Sequence, residues 1–179
     1  YNDLFQFSDL FFQKINKRTL IFILSENTFG SVLGYIASLE NKIVPLLLNS
    51  ATDKELLANL TTIYQPEYFW VPENKVSEFN YEVIFSAYNY ALLKTNLNAP
   101  VLNDSLSLLL TTSGSTGSPK LVRHSYRNIE ENAKNVSQVF EIQASDKALA
   151  ILPMYYTMGL SVITSYIYSG ATILIFNGS

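Results

Sequence analysis

The residues Leu109-Leu110-Thr111-Thr112-Ser113-Gly114-Ser115-Thr116-Gly117-Ser118-Pro119-Lys120 form the part of this chain richest in groups that could do chemistry. Hydroxyls stand at Thr111, Thr112, Ser113, Ser115, Thr116 and Ser118. Gly114 and Gly117 allow the backbone positive φ and a close approach to a ligand. Successive backbone N–H groups in such a turn form a concave anion nest. The hydroxyls add donors, and Lys120 adds a mobile positive charge. Together these are parts for holding a polyphosphate. The spacing is not that of a Walker A loop, which needs four residues between its first glycine and Gly-Lys-Ser/Thr. Here two residues separate Gly114 from Gly117, and Pro119 precedes the lysine. Gly-x-Gly-x-x-Gly, the dinucleotide fingerprint, is absent. On composition alone, a polar surface loop after a strand is the plain alternative.

Other chemistry is sparse. The single histidine, His124, has no identifiable Asp or Glu partner and reads as a bystander. With no cysteine there is no disulfide scaffold, Cys zinc site or cysteine nucleophile, and no metal-ligand set is read. A net charge of −3 lacks the basic surplus of a nucleic-acid binder. Phosphate handling must therefore come from a local device rather than from the overall field. The absence of cysteine fits a reducing compartment, and the expectation is cytoplasmic. Four Asn-x-Ser/Thr triplets read as chance matches in a chain rich in those residues. The first residue, Tyr1, leaves a signal peptide undetermined.

Strands and helices must position the loop. With 48% hydrophobic and 15% charged residues, the chain has material for a packed core. Its length fits one domain, perhaps with a further piece. Leu20–Leu24 (LIFIL) reads as a buried strand. Phe29–Glu40 carries Val32, Leu33, Ile36, Ala37 and Leu39 on one helix face. Lys42–Leu48 is a strand in which Pro45 points to an irregularity or an edge. Thr52-Asp53-Lys54-Glu55 has the form of a capping box for a helix running to about Thr62. Glu67–Val71 is a third strand. Phe79–Thr95 reads either as a strand pair or as a strand and a short helix, and residues 96–104 as a linker.

Ser105–Thr111 reads as a strand buried on both faces, inside a mostly parallel sheet. Ser125 is a candidate N-cap for a helix striped by Ile129, Ala133, Val136 and Phe140. Lys147–Leu152 and Ala171–Phe176 are strands around a helix near Gly159–Ser169. No Lys, Arg, Asp or Glu follows Lys147, yet Pro153, Gly159 and Gly170 interrupt any span of about 20 apolar residues. No membrane span is expected. The uncharged tail instead implies that more protein covers it. The alternation of strands and helices predicts an α/β fold: a mostly parallel sheet with helices on both faces.

Thr112–Lys120 resembles, throughout, the signature Thr-Ser-Gly-[Ser/Thr]-Thr-Gly-x-Pro-Lys of the adenylate-forming (AMP-binding) superfamily. That superfamily includes acyl-CoA synthetases, luciferases and peptide-synthetase adenylation domains. Gly34–Asn49 (GYIASLENKIVPLLLN) looks like the family's alanine-rich helix and Val-Pro-Leu strand. Leu152-Pro153-Met154-Tyr155-Tyr156-Thr157-Met158-Gly159-Leu160 resembles its Leu-Pro and His-x-x-Gly-Leu element. The likeness spans most of the chain from about Leu20. Leu121 stands where the family usually has Gly, Tyr126 where a His often precedes Arg-Asn, and Tyr156 where the acyl-pocket His falls. These departures leave the phosphate loop intact and the acyl-substrate class open.

The resemblance implies ATP-dependent activation of a small carboxylic acid as an acyl-adenylate, then transfer to a thiol. ATP with Mg²⁺ would be the cofactor, and CoA or a pantetheine carrier protein the acceptor. It implies that Thr112, Ser113, Gly114, Ser115, Thr116, Gly117 and Lys120 bind phosphate. Tyr155, Tyr156 and Gly159 would line the acyl pocket. The family's large domain is more than twice this chain. Its adenine-binding segment, its Thr-Glu, its ribose-binding Asp and its catalytic Lys have no counterpart before Ser179. The expectation is therefore that residues 1–179 are the N-terminal α/β portion of such a domain, with no catalytic residue of their own and the remainder of the chain as a partner. Two other classes stay open: a non-catalytic nucleotide-binding module and an interaction domain with a decorative loop.

Overall fold

In a computed structural model the described residues are 2–111 and 120–176. The chain opens on helix α1 (Asn2–Ile15), an element not assigned from the sequence. Phe7, Phe11 and Ile15, at i, i+4 and i+8, are buried, which is the stripe that docks it. Strand β1 (Leu20–Ser25) has all six residues buried, as an apolar run covered on both faces should. Helix α2 (Phe29–Glu40) starts where Thr28 accepts a hydrogen bond from the Ser31 N–H.

Strand β2 (Val44–Asn49) runs parallel to β1. Pro45 does not mark an edge, because β2 lies between two strands. The Val44 N–H donates to Thr19, towards β1, so alternation turns the Pro45 nitrogen to the other side. There the ladder begins only at Leu46↔Leu109, and no bond is lost.

Helix α3 (Lys54–Tyr64) is capped by Asp53 rather than by Thr52: the Asp53 carboxylate accepts from the Glu55 and Leu56 N–H groups. Thr52 instead donates its hydroxyl to the Asn49 carbonyl. Strand β3 (Tyr68–Pro72) and a 3₁₀ turn (Glu73–Glu78) follow. The ambiguous stretch is a strand pair, β4 (Glu82–Ala87) and β5 (Tyr90–Lys94). Tyr88 and Asn89 link them, both with positive φ, the pattern of a two-residue hairpin whose twist matches its strands.

Strand β6 (Leu106–Thr111) has its four central residues buried and pairs parallel with β2. It is followed by β7 (Leu121–Ser125), a strand the sequence did not announce, which pairs antiparallel with it. The seven-stranded order is β4-β5-β3-β1-β2-β6-β7. Four central strands are parallel, and antiparallel strands flank them on both sides. Helices cover both faces. Phe7, Phe11, Val32 and Leu33 pack on one core cluster, and Leu60 of α3 belongs to the other. Each fully buried Leu, Ile or Phe in these clusters contributes roughly 1.5–3 kcal/mol by leaving water.

Helix α4 (Tyr126–Val139) begins at Ser125, in a reciprocal box with Asn128. Its buried residues are Ala133 and Ser137. Phe140, expected on the stripe, sits past the helix end and is exposed. Strand β8 (Lys147–Ala150), helix α5 (Thr157–Tyr168) and strand β9 (Thr172–Ile175) make a separate two-stranded parallel sheet with its crossover helix. Among the described residues, no helix is long and apolar enough to cross a membrane.

Candidate functional site

The carboxyl ends of the parallel strands form one rim, the usual place for ligands in an open α/β sheet. Ser25 ends β1, Asn49 ends β2 and Thr111 ends β6. Leu110 is level with Leu47, so Thr111 stands beside Leu48 at this rim. Thr111 also pairs with Leu121 across the β6–β7 ladder, and the exposed Lys120 directly precedes β7. The two strands thus root the Gly-rich segment at its two ends. Thr112, Ser113, Gly114, Ser115, Thr116 and Gly117 lie outside the described residues.

Arg18 sets the height of β6. Its guanidinium donates to the carbonyls of Lys42, Asn103 and Leu106, each at 2.7 Å. One planar fork thereby ties the start of β6 to the residues just before β2.

A cleft of about 410 Å³ opens at the same rim, between Ser25, Asn49, Pro153 and Tyr155. The ring centroids of Tyr155 and Tyr156 are 4.6 Å apart. Tyr155 is half-buried and faces the cleft, and burial raises its phenol above the ordinary value, with Tyr156 adding to the effect. Tyr156 is exposed and precedes the first turn of α5. Gly159 is buried, and a Cβ there would meet the Pro153 carbonyl oxygen at 2.3 Å and that of Leu152 at 2.6 Å. Its glycine identity therefore follows from the close approach of α5 to the chain that enters it. Tyr155, Tyr156 and Gly159 thus belong to one turn, and Tyr155 is the one lining the cleft.

Two residues that hold this turn were missed from sequence. Asn27 donates its side-chain amide to the carbonyl of Ile151 at 2.9 Å, with those of Leu152 and Ala150 at 3.3 and 3.4 Å. The Ser31 hydroxyl donates to the Met154 sulfur at 3.0 Å in a buried setting. Asn27 lies between β1 and α2 and Ser31 in the first turn of α2, so this connection grips the segment between β8 and α5. Only their place, just past a buried strand, could have flagged them. His124 lies on β7 with its Nε2 buried and unpaired, and burial lowers its imidazole below the ordinary value. Among the described residues, no group of three or more His, Cys, Asp or Glu could hold a metal ion.

A sheet with parallel central strands whose carboxyl ends share one rim is an open α/β arrangement. Residues 10–179 match the AMP-binding enzyme family, and the chain belongs to it. It is 24% identical over 163 residues to 2-succinylbenzoate–CoA ligase of Haemophilus influenzae, covering 90% of this chain and 33% of that protein. It is 38% identical over 77 residues to sulfoacetate–CoA ligase of Cupriavidus necator, covering 42% of this chain and 15% of that protein. In fold it is similar to O-succinylbenzoate coenzyme A synthetase of Bacillus subtilis in complex with AMP. The TM-score is 0.76 at 20% identity, over 98% of this chain and 49% of that one. The chain thus spans about a third of the length of the Haemophilus relative.

Proposed function

We propose that this chain supplies the ATP-phosphate segment and part of the acid pocket of an AMP-forming acid–thiol ligase. The observation that carries the reading is where the two strands flanking the Gly-rich segment end. Thr111 and Leu121 pair at the carboxyl rim of the parallel strands, and the residues between them match the family's phosphate signature. In this reading Thr112, Ser113, Gly114, Ser115, Thr116 and Gly117 wrap the β- and γ-phosphates, and Lys120 adds a point charge. Their task is to orient the nucleotide and stabilise departing pyrophosphate as a carboxylate attacks the α-phosphorus. Mg²⁺ would arrive with the nucleotide, its charge shared by the phosphates. Tyr155, Tyr156 and Gly159 would shape the acid's pocket, with Tyr155 facing the cleft and Gly159 setting the approach of α5. CoA, or a pantetheine on a carrier protein, would take the acyl group.

Support comes from family membership and from relatives that are CoA ligases. The test is ATP–pyrophosphate exchange by the protein at its native length, across a panel of carboxylic acids. Acid-dependent exchange is expected. Exchange absent with every acid, while the protein still binds ATP, would replace the ligase reading with a non-catalytic nucleotide-binding one.

A further inference from the structure

The carboxyl rim holds a second crevice, of about 510 Å³, on the side of β1 away from β2. β1 and β3 are parallel neighbours there. The chain leaving β1 enters α2, which packs on one face of the sheet. The chain leaving β3 enters the 3₁₀ turn, whose Val76 packs on the other. Adjacent strands whose connections part to opposite faces open a crevice between them, and open α/β sheets bind ligands at such points. Glu26 and Thr28 line it from the β1 side, and Glu73 and Asn74 from the β3 side.

Two exposed rings add a wall. Phe29, at the start of α2, and Tyr88, in the β4–β5 turn, meet edge-on with centroids 5.2 Å apart. Tyr88 also packs on Phe7 at 5.7 Å. A Cβ on Gly30 would meet the Tyr88 carbonyl oxygen at 2.5 Å, so the turn is set hard against α2 and the wall is preformed.

Both carboxylates are accessible, Glu73 exposed and Glu26 half-buried. No Lys, Arg or His lines the crevice. Among the described residues the ion pairs join Lys17, Lys54 and Lys75 to Glu67 and Glu78, and neither Glu26 nor Glu73 takes part. The start of α2 contributes about half a positive charge, which two full negative charges outweigh. An anion is therefore repelled, while a cation meets carboxylates and aromatic rings together.

We propose that this crevice binds a small organic cation, an ammonium group on a short apolar or hydroxylated chain. Glu26 and Glu73 supply its counter-charge, and Phe29 and Tyr88 its aromatic wall. Glu26 also borders the cleft beside Tyr155, but Phe29, Glu73 and Tyr88 do not, so the site does not depend on what that cleft takes.

The test uses the full chain and three probes of one shape: choline, its neutral isostere 3,3-dimethylbutan-1-ol and the anion 3,3-dimethylbutanoate. Each carries three equivalent methyl groups, so one ligand-observed NMR titration compares them. Choline is expected to bind saturably, the alcohol more weakly and the butanoate not at all. Glu26→Gln combined with Glu73→Gln keeps the shape and removes the charge. It should weaken choline about 2- to 30-fold, two exposed ion pairs of roughly 0.2–1 kcal/mol each, and leave the alcohol unchanged. Phe29→Leu should weaken choline about 2- to 5-fold, one ring contact of about 0.5–1 kcal/mol. Choline binding no tighter than the alcohol, or a choline affinity unchanged in either variant, overturns the proposal.

Discussion

Trp70 and Gly34 are fitted to each other: a Cβ on Gly34 would lie 2.3 Å from Trp70 Cδ1 and 2.4 Å from Nε1. The indole cannot retreat, because it is fully buried and its N–H donates to the Gly30 carbonyl at 2.8 Å. Gly34→Ala is therefore expected to destabilise the chain. Alanine gains about 1 kcal/mol of helix propensity, but overpacking costs typically 1–3 kcal/mol and more where nothing gives. We expect a net loss of about 1–2 kcal/mol, or roughly 2–8 °C in Tm for a chain of this size. Thermal unfolding decides it, and an unchanged or higher Tm refutes the fit.

Asn27→Ala removes the amide that holds the Ile151, Leu152 and Ala150 carbonyls. The expected loss is about 0.5–1.5 kcal/mol of stability. More telling is its location: amide hydrogen exchange should quicken over residues 151–156 and stay unchanged in β1 and β3. Uniform quickening across the sheet would mean that Asn27 supports the fold generally.

The His124 imidazole is depressed by burial, so the folded state binds its proton less readily than the unfolded chain does. Its contribution is complete above the unfolded value of about 6.5 and is lost as pH falls through the lower folded value. Wild type should therefore lose more stability than His124→Gln between pH 7.5 and pH 5. Parallel urea titrations of both proteins cancel the carboxylate contribution common to them. Identical losses in the two contradict the depressed imidazole.

Lys120→Ala, in the protein at its native length, tests the proposed phosphate role. Losing one charge-assisted hydrogen bond of about 1.5–3 kcal/mol corresponds to roughly a 10- to 150-fold fall in kcat/KM for ATP. The KM for the acid should move far less. Lys147→Ala, at an exposed position of β8, is the control and should be nearly silent. Wild-type ATP kinetics in both variants would remove Lys120 from the phosphate site.

Legibility from sequence followed how locally each element is encoded. The bounds of α2 were readable because Thr28 caps it and one face repeats at helical spacing. The β1 and β6 runs were readable because they are covered on both faces. β7 was not, because Leu121–Ser125 is mostly half-exposed and becomes a strand only by pairing with β6. Pro45 misled for a related reason: whether a missing N–H matters depends on which neighbour it faces, a property of the assembled sheet. The family resemblance was legible because the signature is a contiguous motif. The Asn27 clamp was not, since it joins residues 124 positions apart.

The strand order has a consequence for how the chain assembles. β2 meets β1 across 24 residues, Val44 against Leu20, but meets β6 across 63, Leu47 against Leu110. Loop-closure entropy makes the second joint costlier by only about 0.9 kcal/mol. During synthesis, however, one side of β2 must wait as an open edge until β6 has emerged. Three leucines in a row, Leu46, Leu47 and Leu48, lie along that edge. Pulse-labelled amide exchange during refolding should find Leu47, whose N–H faces β6, protected later than Leu46, whose N–H faces β1. The hairpin that roots the Gly-rich segment would then be the closing piece of the sheet.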